Sequence, residues 1–438
     1  MTFDTEPTHV DTVPAGEGPP SSPRRTYTFV DLFAGIGGFH VGLEQLGHRC
    51  VFACEIDSDL RSVYKDNFGI DPYGDIRSLK ETMIPPHQIL CAGFPCQPFS
   101  LAGKKTGTEC PESGKLIDDV VRIARFHRPR YVLLENVPNV LTIADGTFWS
   151  HICDSLEGLG YIVEHRIYSP LQFGIPQQRN RLFVVARQKS QPAFAWPESA
   201  SPPLRPLSSF LRPDEPNQRG IEPAKAGVID HWNLLVRRLP ELSSDTLIAS
   251  EFGATYPLNG FSPGRPWRQH RGAFGRRLDT ASSREDAAKQ LPHYASENGR
   301  VPIWMRPYVE YSRRVYAEHA AFLDAWKQRL EGAPNSWQKL EWRGDRSQPD
   351  LWAQTLQFRA SGIRAMRPRL APSLVAMTPT QTPIIGPRRR YLAVREAAAL
   401  QALDNLSTFP ENNERAFRAI GNAVNAYIVR EVSRAAIL

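Results

Sequence analysis

Tyr27-Thr-Phe-Val-Asp-Leu-Phe33, followed by Ala34-Gly-Ile-Gly-Gly38, decides the fold of this chain. Tyr27 to Phe33 is a β-branched and aromatic run with the length of one buried strand. It breaks into glycines and passes into a helical pattern, Phe39 to Leu46, with Gly47 as C-cap. A strand that turns through glycines into a helix lets the backbone approach a ligand at the strand's carboxyl end. The spacing is GxGG, not the GxGxxG of a pyrophosphate cradle, and no Lys-Ser/Thr follows as in a phosphate loop. A nucleoside lacking a pyrophosphate fits better, and S-adenosyl-L-methionine is the obvious candidate. The next strand, Cys50–Cys54, ends at Glu55, where an acidic side chain would meet ribose hydroxyls.

Outward from this unit the alternation continues. A helix is expected over Ser58–Phe68, a strand over Gln88–Ala92, a helix over Lys115–Arg125 and a strand over Tyr131–Leu134. Trp149–Leu159 reads as a helix, and Tyr161–Tyr168 and Arg181–Ala186 as strands. Strands and helices alternating at these lengths predict an α/β class with a doubly wound, largely parallel sheet. From Gln191 the periodicity breaks among Pro192, Pro197, Pro202, Pro203, Pro206, Pro213 and Pro216, which marks a boundary. Beyond it one long helix is expected, Tyr308–Leu330, amid short strands and loops. Helices resume near Val394–Leu403 and Ala423–Ala436. Residues 1–25, with PAGEGPPSSPRR, hold almost nothing that could build a core and read as a disordered arm.

With 438 residues, 41% hydrophobic and 23% charged, the chain is globular in composition and too long for one core. No apolar run approaches the roughly 20 residues of a membrane helix. Met1 to Pro23 has no signal-peptide pattern, which points to the cytoplasm. All six cysteines lie in the first 153 residues, without the spacing of a zinc site or the density of a secreted scaffold, so no metal is expected. The net charge of +7 resides in residues 191–380, which hold 26 Lys+Arg and 19 Asp+Glu, while the flanks are neutral. Eight of the nine tryptophans fall there too, and arginines such as Arg265, Arg268, Arg271, Arg276, Arg277, Arg364, Arg367 and Arg369 dominate. A basic, aromatic segment between neutral flanks is suited either to a polyanion or to a solvated basic surface, and the arginine bias tilts toward nucleic acid.

Three further groups carry chemistry. In Gly93-Phe-Pro-Cys-Gln-Pro-Phe-Ser100, Cys96 follows a strand end between two prolines, which presents a thiol at the carboxyl edge of the sheet, with Lys104 and Lys105 nearby in sequence. Glu135-Asn-Val137 ends another strand, so Glu135 faces the same edge and can protonate or hydrogen-bond a ring nitrogen. Arg179 and Arg181, two apart in an extended segment, share a face and could grip a carbonyl oxygen and a phosphate.

Together these blocks resemble the bacterial DNA (cytosine-5) methyltransferases of restriction–modification systems. The resemblance runs in order through Asp31–Gly38, Glu55, Gly74-Asp-Ile76, Gly93–Ser100, Glu135-Asn-Val137 and Gln177–Arg181, then Arg395-Glu396, Leu400-Gln401 and Gly421-Asn-Ala-Val424. It implies a Rossmann-like AdoMet-dependent domain over 26–190, a smaller, irregular target-recognition domain over 191–389, and C-terminal helices, 390–438, returning to the catalytic domain. It also implies that the Cys96 thiolate attacks C6 of a cytosine flipped out of double-stranded DNA. Glu135 would serve N3 and the 4-amino group, and Arg181, supported by Arg179, would bind O2. Cofactor contacts would come from Phe33, Gly35, Gly37, Glu55, Ile56, Asp75, Ile76, Pro95, Asn422 and Ala423. A monomer paired with a restriction endonuclease is the expected biology.

Four pairs depart from the family pattern: Ser113-Gly114 and Leu116-Ile117 in the loop after the nucleophile, Ala393-Val394 before the late helix, and Gln401-Ala402. An RNA cytosine-5 methyltransferase is the alternative enzyme, disfavoured by the lack of a Cys-Phe-Thr signature and of any cysteine after residue 153. A non-catalytic DNA-binding protein would be expected to have lost Cys96 or Glu135. A nicotinamide dehydrogenase would need GxGxxG.

Overall fold

The computed structural model describes residues 25–95, 111–198, 203–213, 215, 218–244, 246–261, 267–297, 299–374 and 381–438. The arm expected over residues 1–25 lies, but for Arg25, outside them, and so do Cys96, Lys104 and Lys105.

The first sheet is built from Thr28–Leu32 (β1), Arg49–Cys54 (β2), Ile89–Ala92 (β3), Tyr131–Asn136 (β4), Tyr161–Tyr168 (β5) and Arg181–Gln188 (β6), in the order β2-β1-β3-β4-β6-β5. The pairs β1–β2, β1–β3 and β3–β4 are parallel, and β6 runs antiparallel to both β4 and β5. The helices are Gly38–Glu44 (α1), Ser58–Phe68 (α2), Pro111–His127 (α3) and Thr147–Glu157 (α4). Side chains alternate across the strands, and each face has its own core. Val30, Leu32, Leu90, Val132 and Leu134 pack with Ile117, Val120 and Ile123 of α3 and Ile152 and Leu156 of α4. Phe29, Ile89, Cys91, Leu133 and Val185 face the other way. The sheet is therefore doubly wound and largely parallel, as the alternation predicts.

The second sheet lies in the middle of the chain. Between Pro223–Arg238 (α5) and the C-terminal helices run Thr246–Ile248 (β7), Arg284–Lys289 (α6), His293–Ser296 (α7), Arg306–Lys327 (α8), Lys339–Arg343 (β8), Thr355–Arg359 (β9), Gly362–Met366 (β10), Ile384–Ile385 (β11) and Arg390–Tyr391 (β12). The strand order is β12-β11-β9-β10-β8-β7, antiparallel except for β8 beside β10. The short strands expected here thus assemble into one mixed sheet, whose apolar face packs on α5 and α8 through Ile229, Trp232, Leu235, Val315, Leu323 and Trp326. The helix α5 was not expected among the prolines. Pro223 stands at its first turn, where a missing N–H costs nothing, and Ile229, Trp232, Leu235 and Val236 fall on one face.

The chain then returns to the first sheet through Val394–Ala399 (α9), Asn413–Asn422 (α10) and Ala426–Ile437 (α11). The helix α10, also unexpected, starts at an Asn412 cap whose side chain accepts from the Glu414 and Arg415 amides. Ile428, Val429 and Val432 of α11 complete the core with Phe29, Phe39 and Leu43. Each such buried side chain stabilises by about 1.5–3 kcal/mol. Contact is close because Gly42 of α1 has no side chain: a Cβ there would lie 2.7 Å from the Ala426 carbonyl oxygen and from Val429 Cβ. Among the described residues no helix is long and apolar enough to cross a membrane.

Candidate active site

The carboxyl ends of β1 to β4 converge on one edge of the first sheet. After β1, Phe33 takes a positive φ of 55°, and Gly35 and Gly37 follow at 54° and 88°, a sequence of turns that favours glycine. A Cβ on Gly37 would lie 2.3 Å from the Phe68 ring, so this glycine lets α2 close on the turn. At Gly35 nothing lies within 4 Å of the same point, so the turn is open on that side.

Glu55, one residue past β2, is buried and fixed at both oxygens. Oε2 accepts the Gly35 amide at 2.8 Å and Oε1 the Asp57 amide at 2.9 Å. Burial raises its pKa, and those two amides work against the shift. Each oxygen keeps a further acceptor position. Tyr73 exchanges backbone hydrogen bonds with Ala53 and Glu55, at 2.9 Å each, and so brings Asp75 beside the end of β2. The Asp75 carboxylate is engaged by Arg77 (Nη2 to Oδ2 2.6 Å), which lowers its pKa. Ile56 is exposed, whereas Ile76 is buried within the core below. Asn422 is exposed at the end of α10. A Cβ on Gly38 would meet the Val424 carbonyl oxygen at 2.5 Å, so Val424, two residues past α10, abuts the glycine turn. Arg415 of the same helix holds Asp57 and Asp59. An open turn and a fixed carboxylate with spare acceptor positions suit a nucleoside bearing a cationic sulfur.

The second half of the site lies at β3, β4 and the start of β6. Glu135 is buried, and its Oε1 stands 3.1 Å from Arg181 Nε. The angle is too poor for a hydrogen bond, so that oxygen keeps an unfilled hydrogen-bonding position inside the protein. Burial raises the Glu135 pKa, while Arg181 and then Arg179 pull it back. Burial lowers that of Arg181, and Glu135 opposes the shift. A Cβ on Gly93 would stand 3.9 Å from Glu135 Oε2. Asn136 donates to the Phe94 carbonyl at 2.9 Å, fixing the backbone that runs through exposed Pro95 toward position 96. Cys96 itself lies outside the described residues. The four described cysteines are poor nucleophiles: burial pushes Cys50 and Cys54 to about 12 and Cys153 to about 11, and Cys91 well upward.

Arg179 does not stand beside Arg181 as an open pair, as a strictly extended segment would have it. It is buried, and its guanidinium donates to the Leu374 carbonyl at 2.6 Å and the Ala423 carbonyl at 3.0 Å. Burial draws its pKa down to about 9, which leaves it cationic at neutral pH. The contribution of Asn136 was also missed, although it stands in the quoted Glu135-Asn-Val137 motif; a polar residue closing an apolar strand was the available signal. Asp31 went unassigned as well. It is fully buried on β1, its pKa raised well above the usual range by burial, with Tyr64 donating to it at 3.3 Å and His40 in contact with that hydroxyl at 2.7 Å.

Residues 27–236 match the family described as C-5 cytosine-specific DNA methylase. Type II methyltransferase M.AluI of Cellulosimicrobium cellulans is 30% identical over 486 aligned positions, spanning 93% of this chain and 91% of that protein. The chain belongs to the C-5 cytosine-specific DNA methylases. M.HpaII of Haemophilus parainfluenzae is 45% identical over 201 residues, covering 44% of this chain and 54% of that one. M.MspI of Moraxella sp. is 43% identical over 178 residues, covering 41% and 42%. With these last two, the matched part spans about half or less of the relative's length. In fold the chain is similar to a prophage Cp protein of E. coli described as a DNA modification methyltransferase, with a TM-score of 0.51 at 17% identity over 93% of this chain and 97% of that one. The family uses S-adenosyl-L-methionine, which the open turn at Gly35 and the held Glu55 carboxylate fit.

Proposed function

We propose that this methylase acts on C5 of a cytosine flipped out of double-stranded DNA, through a transient bond between Cys96 Sγ and C6. The supporting observation is the buried Glu135–Arg181 pair beside the carboxyl end of β3, from which the chain leads two residues beyond Phe94 to Cys96. A flipped base is required because attack on C6 comes from the ring face, which stacking covers.

S-adenosyl-L-methionine supplies an electrophilic methyl group on a sulfonium. Phe33, Gly35, Gly37, Glu55, Ile56, Asp75, Ile76, Pro95, Asn422 and Ala423 would form its pocket, with Glu55 on the ribose hydroxyls. In the protein's own part of the reaction, the Cys96 thiolate forms the bond to C6 and the C5–C6 π electrons become available at C5. Glu135, its carboxyl kept protonatable by burial, donates to N3 and accepts from the 4-amino group. Arg181 donates to O2, and Arg179 keeps the Arg181 strand in place. Once C5 carries the methyl group, a base removes its proton, the double bond re-forms and the thiolate leaves. Residues 26–190 and 390–438 would carry this chemistry and 191–389 would read the sequence. The enzyme would act as a monomer in the cytoplasm, protecting DNA from a cognate restriction endonuclease.

The test is base-resolution cytosine methylation in a methylation-free bacterial host expressing the chain or its Cys96→Ala variant. Methylation at one short repeated sequence, lost in the variant, is expected. An unmethylated genome with soluble protein would overturn the DNA reading and make total RNA from the same cells the next substrate.

A further inference from the structure

Alternation sorts the side chains of β8, β9 and β10 between two faces. Leu340, Trp342, Leu356, Phe358, Ile363 and Ala365 enter the core. Lys339, Glu341, Arg343, Arg359 and Arg364 take the other face, where a single carboxylate serves three arginines. Glu341 Oε1 holds Arg343 Nε at 2.5 Å, and Oε2 holds Arg364 Nε at 3.1 Å and also Arg359. Burial alone would raise the Glu341 pKa, but the arginines overcome this and keep it ionised.

Arg343 is the exposed member of the group, with 67% of its side chain accessible. Its contact with Glu341 is an ion pair through Nε, and its terminal nitrogens make no hydrogen bond among the described residues. The backbone just after it is held as firmly. Fully buried Gln354 accepts from the Asp345 amide at 3.0 Å and donates to the Gln348 carbonyl at 3.0 Å. A Cβ on Gly344 would meet Gln354 Oε1 at 2.8 Å.

The position is also suitable. β8 and β10 run parallel, with Arg343 opposite Met366. Five residues on, Ala371 bridges to Gln177, four residues before Arg181. The five residues from Met366 to Ala371 and the four from Gln177 to Arg181 together span at most about 30 Å, on the order of nine base-pair steps of about 3.4 Å. A side chain at this edge of the sheet therefore lies on the order of one duplex turn or less from a cytosine held at Glu135.

We infer that Arg343 reads a guanine of the target sequence through its free guanidinium fork, with Glu341 as the residue that positions it. The inference rests on the methyltransferase reading above. Guanine presents O6 and N7 to the major groove as two acceptors that match such a fork. A phosphate contact needs only charge and tolerates a loose side chain, whereas a reader of base edges must be held in place. Of the arginines on this face, Arg343 combines a carboxylate ion pair with exposure. The exposed Arg346, Arg367 and Arg369 on the adjoining turns supply charge for the backbone.

The experiment compares methylation maps of a methylation-free host expressing wild type, Arg343→Lys, Arg343→Ala or Glu341→Gln at matched levels of soluble protein. Wild type is expected to require guanine at one fixed position of its site. Arg343→Ala should lower that preference by about ten- to a hundred-fold while leaving the other positions intact. Arg343→Lys, with no fork, should relax the same position, and Glu341→Gln should do so more weakly. Equal weakening at every sequence, or an unchanged preference in Arg343→Ala and Arg343→Lys, would overturn the inference while leaving methyl transfer standing. An unmethylated wild-type genome would overturn both. Arg343 is exposed, so its variants keep the fold, and S-adenosyl-L-methionine binding checks that they do.

Discussion

Replacing Arg179 with methionine should loosen the protein at the point where three distant parts of the chain meet. The guanidinium is buried and donates to the carbonyls of Leu374 and Ala423, 195 and 244 residues away. Hydrogen bonds from a charged donor contribute about 1.5–3 kcal/mol each, so about 3–6 kcal/mol is at stake. Relief of guanidinium desolvation, the same burial that draws its pKa to about 9, offsets part of this. Methionine fills a similar volume, which leaves a net loss of about 2–3 kcal/mol. Ala423 follows Asn422, so some of that loss should reach the cofactor side; about 1 kcal/mol there would mean roughly five-fold weaker binding of S-adenosyl-L-methionine. Urea unfolding followed by tryptophan fluorescence gives the stability, and calorimetric titration gives the affinity. Arg179→Lys, able to reach one carbonyl, should fall between the two. Wild-type stability and affinity in Arg179→Met would refute the idea that this side chain ties the segments together.

Glu135→Gln should lower kcat by about 10²–10⁴-fold while cofactor affinity stays within about two-fold of wild type; single-turnover methylation together with titration separates the two. Gly42→Ala, with its Cβ 2.7 Å from the Ala426 carbonyl oxygen, should cost about 1–3 kcal/mol in a denaturation midpoint by forcing α1 from α11. Burial draws both His40 and His87 down to about 4. The unfolded chain protonates these groups near 6.5, so their stability is fully present above pH 6.5 and is lost as pH falls toward 4. At pH 5.5 the two together should cost about 3 kcal/mol relative to pH 7.5. Denaturation at the two pH values, with a His40→Gln/His87→Asn pair that should flatten the difference, measures it.

The parts of this structure legible in the sequence are those fixed by near neighbours. The helix Ser58–Phe68 is framed by an Asp57 cap whose side chain accepts from Asp59 and Leu60 and by Gly69 in the left-handed region, both local signals. β5 and the glycine turn are equally local. β7 was not legible, because it pairs with β8 some ninety residues later, and nothing in the three residues Thr246-Leu247-Ile248 says which strand they will meet. The role of Arg179 was hidden for the same reason. Charge beside Arg181 suggested a shared task, but the carbonyls that occupy it belong to residues 195 and 244 positions later. Glu135 could be placed because strand ends in a parallel sheet share an edge, a rule that needs no partner identity. The helix α5 could have been found from its Pro223 and the spacing of Ile229, Trp232 and Val236, had the preceding prolines not suggested a linker.

The docking of α11 on α1 and β1 also bears on the order of events during synthesis. The six strands of the first sheet are all made by residue 188, but the helix that covers Phe29, Phe39 and Leu43 begins at Ala426. For more than two hundred residues of translation the growing chain carries one finished face and one bare apolar face. The segment that would select DNA sites emerges during that interval, ahead of the helix that seals the sheet. A ribosome-bound or prematurely ended product therefore holds the strands of the first sheet while Phe29, Phe39 and Leu43 still lack their cover.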